Sequence, residues 1–97
     1  MYTNIQQISG GITAPNGFLA SGVRCGLKTS GNDLAIIYSQ KPSVASAVFT
    51  ANRFQAAPIS ISKQHLASAS TIQAIVVNSG CANCATGEEG LRDAQRM

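Results

Sequence analysis

The chain contains no tryptophan and, in 97 residues, five aromatic side chains: Tyr2, Phe18, Tyr38, Phe49 and Phe54. Its hydrophobic content of 44% excludes disorder, yet alanine supplies much of it. Small side chains bury little area each, at about 25 cal/mol per Å². A core this light calls for packing against something outside these residues. Acidic groups are scarce as well, four against seven Lys and Arg, for a net charge of +3. The basic residues Arg24, Lys28, Lys41, Arg53, Lys63, Arg92 and Arg96 are scattered, and no aromatic ladder accompanies them. Nucleic-acid binding needs a basic stripe, so no nucleic-acid partner is expected. No apolar run approaches the roughly eighteen residues that span a bilayer, so no membrane partner is expected either. Met1–Ile8 lacks the basic and apolar regions of a secretory signal, and the first arginine comes at Arg24. A cytoplasmic location is the expectation. Three cysteines cannot all pair within one chain; in a reducing compartment they are free thiols.

Residues 1–97 have the length of one small folding unit. Thr13-Ala14-Pro15-Asn16-Gly17 reads as a turn, with proline presetting φ and Asn-Gly tolerating positive φ. Phe18–Lys28 reads as a strand in which Val23, Cys25 and Leu27 share a face, weakened at Gly22 and Gly26. After a Thr29–Asn32 turn, Asp33–Ser39 is a second strand with Leu34, Ile36 and Tyr38 on one side. Lys41-Pro42-Ser43 reads as a further turn and Val44–Thr50 as a third strand, making an antiparallel meander. Pro58 is expected to keep Ala57 extended. A short helix, Lys63–Ala69, is capped by Ser62 and buries Leu66 with Ala67 or Ala69. A fourth strand, Ile72–Val77, carries the continuous run Ile75-Val76-Val77 of a strand buried on both faces. A last helix starts after Thr86, where Thr86 and Glu89 have capping-box spacing. Its buried stripe includes Leu91 and Ala94. It lacks a stop signal before Met97, which predicts that these residues are the front part of a longer protein.

The junction from Ala74 to Gly90 carries the chemistry-bearing residues. Cys81-Ala82-Asn83-Cys84 is formally a C-x-x-C, but the expected helix starts beyond both thiols, away from the dipole that would activate them. Cys25, Cys81, Cys84 and His65 are the candidate zinc ligands, and one C-x-x-C without a second pair is a weak metal signature. Gly80, Gly87 and Gly90 match neither dinucleotide nor P-loop spacing. His65 has no triad partner near it in sequence. Asn78 and Asn83 frame the loop, either as turn formers or as side chains that order a pocket.

With these residues laid out, the chain resembles the N-terminal segment of the glutamate N-acetyltransferases, also called ornithine acetyltransferases, of arginine biosynthesis. The matching blocks are Gly11–Phe18, Asp33–Ile37, Ala47–Asn52, Ala57-Pro58 and Val77–Gly87. Within the last, Cys81 stands where the family usually has Asn and Cys84 where it has a small residue; a thiol cannot replace the hydrogen bonds of an amide. The resemblance implies an α/β fold, specifically an α+β sandwich of mainly antiparallel strands with helices packed on the sheets, incomplete in these 97 residues. It also implies a precursor that cuts itself before an internal threonine, which becomes the nucleophile with its own amine as base. Acetyl then passes from N-acetylornithine to glutamate through an acetyl-threonine, and acetyl-CoA is a possible co-substrate. The implied partners are the remainder of the α chain and the β chain, in a heterotetramer of two α and two β. No cofactor is implied. Neither the nucleophile nor the downstream Thr-Gly oxyanion motif falls within 1–97, and Thr86-Gly87 belongs by motif order to the earlier block. No catalytic, substrate-binding or metal-binding residue is therefore assigned, and the segment alone is expected to be inactive and poorly folded. Two other readings are a non-enzymatic binding or assembly module and a small redox protein using Cys81 and Cys84.

Overall fold

In a computed structural model that describes residues 4–82 and 86–97, the chain runs strand, strand, helix, strand, helix. Strand β1 is Phe18–Val23, β2 is Leu34–Ser43, and β3 is Ile72–Asn78; helix α1 is Ala57–Ser68 and α2 is Gly87–Arg96. The strands form one antiparallel sheet in the order β1-β2-β3. The two helices pack on each other. This is the α+β, mainly antiparallel arrangement expected from the sequence.

Strand β1 ends at Val23, earlier than the alternation to Lys28 predicts. Gly26 sits at φ 99°, outside strand geometry, and the amides of Cys25, Gly26 and Lys28 bond to a carboxylate instead of a neighbouring strand. Strand β2 runs on to Ser43, through the residues expected to turn. The register there shifts between Tyr38↔Ala74 and Ser43↔Ile72, a bulge over which Ser39 Oγ donates to the Lys41 carbonyl at 2.7 Å.

The expected third strand, Val44–Thr50, is irregular, with Val44 and Val48 almost fully exposed. The place beside β2 goes to β3, whose β-branched run offers more side chain to the pleat than the small residues of Val44–Thr50. Beyond it, Asn52 N–H donates to Thr50 Oγ1 and Phe54 N–H to Asn52 Oδ1, closing local turns. Helix α1 begins six residues before the expected Lys63. Proline suits a first helical turn, where its missing N–H has no partner to lose; the extended residue is Ala56, not Ala57. The buried side chain is Ile61, whereas Leu66 is half-buried and Ala67 and Ala69 are exposed. Leu91 and Ala94 are half-buried on α2, as expected.

The sheet is devoid of charge over 18–23, 34–40 and 72–78. Register places Leu19, Tyr38 and Ala74 together on one face with Ser21, Ile36 and Val76; Ala20, Ile37 and Ile75 lie on the other. Such a sheet is built to be covered on both sides. In these residues it is not: Ile75, Val76 and Val77 remain between 41% and 56% exposed, where burial on both faces was expected. The accessible surface is 7916 Å² for 10.0 kDa, against about 5,200 Å² for a closed protein of that mass. The radius of gyration, 15.8 Å, likewise exceeds the about 13 Å typical at this length.

Ile61 is the one buried apolar side chain among the described residues. Ile61→Ala should cost about 2 kcal/mol, the low end for such truncations because the site is open enough to collapse. Urea titration followed by helical circular dichroism measures it; an unchanged midpoint would remove Ile61 from the core.

Candidate functional site

The junction after β3 is held by the connection between β1 and β2, and that connection is organised by Asp33. Its side chain is 2% exposed. Oδ1 accepts the Cys25 N–H at 2.6 Å; Oδ2 accepts the Gly26 N–H at 3.1 Å and the Lys28 N–H at 2.9 Å. Its backbone N–H donates to the Val23 carbonyl at 3.0 Å, and its carbonyl accepts the Ser79 N–H at 2.9 Å. One residue thus folds the 25–28 loop onto itself and fastens the Asn78-Ser79-Gly80 loop to it. The amides of Cys25 and then Lys28 hold the Asp33 carboxyl far below the ordinary carboxylate range, against the opposing effect of burial.

Two glycines in the junction have steric reasons. Gly80 has φ 86°, and a Cβ there would overlap the stem of Lys28, whose methylenes cover this turn. At Gly90, in the first turns of α2, a Cβ would overlap the Thr86 side chain. The expected capping box is not formed: Thr86 makes no side-chain capping bond, and its ψ of 0° is not the extended conformation of a capping residue. The Thr86 side chain lies against Gly90 instead.

An open cleft of about 580 Å³ runs between the sheet end and the helices. Leu27 and Leu34 line it from the β1–β2 side, Asn78 and Cys81 from the end of β3, Pro58 from α1, and Glu89 and Asp93 from α2. Its walls are largely apolar, with an amide, a thiol and two carboxylates at the rim. Described residues of the junction singled out from sequence, among them the half-buried Asn78, therefore line this cleft.

The other candidates are not brought together. Cys25 and Cys81 are exposed free thiols, and His65 is exposed on α1, where its carbonyl accepts the Ala69 N–H. Among the described residues no three His, Cys, Asp or Glu side chains converge as metal ligands. Asn83 and Cys84, and with them the C-x-x-C, lie outside the described residues. Among those residues, no helix is long and apolar enough to cross a membrane. Sequence reasoning missed Asp33 and Lys28. The available signal was an acid directly after Gly31-Asn32, ahead of an apolar strand, where carboxylates commonly gather turn amides.

The fold is that of solved proteins of arginine biosynthesis. The structure superimposes on an arginine biosynthesis bifunctional protein ArgJ from Bacillus halodurans with TM-score 0.87 and 40% identity, covering 90% of this chain and 46% of that one. It matches an ornithine acetyltransferase from Mycobacterium tuberculosis, solved with ornithine, at TM-score 0.81 and 41% identity, covering 89% and 45%. The ArgJ family model matches residues 19–97, and the chain belongs to that family. Curated relatives include the arginine biosynthesis bifunctional proteins ArgJ of Bacillus licheniformis, 47% identical over 97% of this chain, and of Synechococcus, 51% identical over 92%. The chain spans 23% and 22% of the lengths of these two relatives.

Asp33→Asn should speed amide exchange at Cys25, Gly26 and Lys28 by about ten- to a hundredfold, because an amide nitrogen repels one set of donors. Exchange read by NMR that is unchanged at all three would show the loop to be held otherwise. Because the folded-state affinity of Asp33 for a proton is lowered, its stabilisation is complete above the unfolded carboxyl value of about 3.9. It is lost only as pH falls below that value toward the depressed folded one. Acid titration should therefore leave wild type more resistant than Asp33→Asn near neutrality, with the gap closing in strong acid.

Proposed function

We propose that this chain is the scaffold segment of an acetyltransferase that moves acetyl from N-acetylornithine to glutamate in arginine biosynthesis. The observation that carries the reading is near-complete coverage of the chain, at 46–52% identity, by proteins of that one name. The Val77–Gly87 block, from which Asn78, Cys81, Ala82 and Thr86 line the cleft, supports it.

In this reading a threonine outside these residues is the nucleophile. Its hydroxyl oxygen attacks the acetyl carbonyl of N-acetylornithine, its proton passing to the new N-terminal amine. The amide C–N bond breaks, ornithine leaves with a proton on its amine, and an acetyl-threonine ester remains. The amine of glutamate attacks that ester, giving N-acetylglutamate and restoring the hydroxyl. Autocatalytic cleavage before the threonine, acetyl-CoA as another donor, a cytoplasmic setting and an assembly of two α and two β chains belong to the same proposal. The present residues supply no group to these steps. Their part is to form a sheet that the rest of the enzyme covers, and to hold the β3–α2 junction through Asp33. Alone, they are inactive.

The experiment is complementation. The 97-residue chain is co-expressed with Bacillus subtilis ArgJ lacking the 93 residues that match it. Glutamate-dependent release of ornithine from N-acetylornithine is expected from the pair and from neither part alone, with one acetyl group added to a threonine peptide. A pair that associates but transfers no acetyl would refute the reading.

A further inference from the structure

We draw no further inference here: the strongest candidate, the groove between the first turns of α1 and α2 lined by Ala57, Ser60, Gly87 and Glu88, rests on helix N-termini alone, with the Glu88 carboxylate already among them and no second feature of the structure that points to a ligand.

Discussion

The carboxylate of Asp33 is the constraint on which the rest of this structure depends. Backbone amides in a connecting loop must find acceptors, and the sheet supplies none to Cys25, Gly26 and Lys28. A single buried anion gathers all three, while its own backbone joins Val23 to one side and Ser79 to the other. An anion surrounded by amide dipoles resists protonation and also resists displacement. The β1–β2 connection and the β3–α2 junction are therefore one mechanical unit, although about fifty residues of chain separate them.

What could be read in the sequence was whatever depends on local pattern. The β-branched run at Ile72–Asn78, the turn at Thr13–Gly17 and the half-buried stripe of α2 are periodicity and turn chemistry, and the structure has them. The block from Val77 to Gly87 pointed to the family by residue identity and order. What could not be read depends on competition between distant segments. Val44–Thr50 alternates like a strand, but a strand exists only by pairing, and β2 has two sides, both taken. Pro58 looked like a barrier and is instead a helix start, because proline acts oppositely at the two ends of a helix. The capping-box spacing at Thr86 was correct in letter, yet Gly90 left a space that the threonine side chain occupies. Asp33 left only its place after Gly31-Asn32 as a signal, because its three donors are amides, which every residue carries.

The sheet itself carries a message that sequence and structure state differently. Three strands whose only charged residue is Lys41, beyond the bulge near the end of β2, describe an interior layer. In the structure that layer has both faces open, and the accessible surface is about half again that of a closed protein. The two agree once the chain is placed beside relatives of which it spans 22–23%. Its cohesion is concentrated in strand pairing and in loop hydrogen bonds, which are local, while its apolar side chains face outward toward what the family's fuller length would supply.

The bulge between Tyr38 and Ser43 has an evolutionary corollary. An insertion or deletion inside a regular strand inverts every later side chain across the sheet. Here the register upstream, from Leu34 to Tyr38, is already uncoupled from Ser43 by an irregular stretch that Ser39 and Ser43 bridge through their hydroxyls at 2.8 Å. Length variation between homologues can accumulate in that stretch, as in a slack coupling, while the apolar faces keep their assignment.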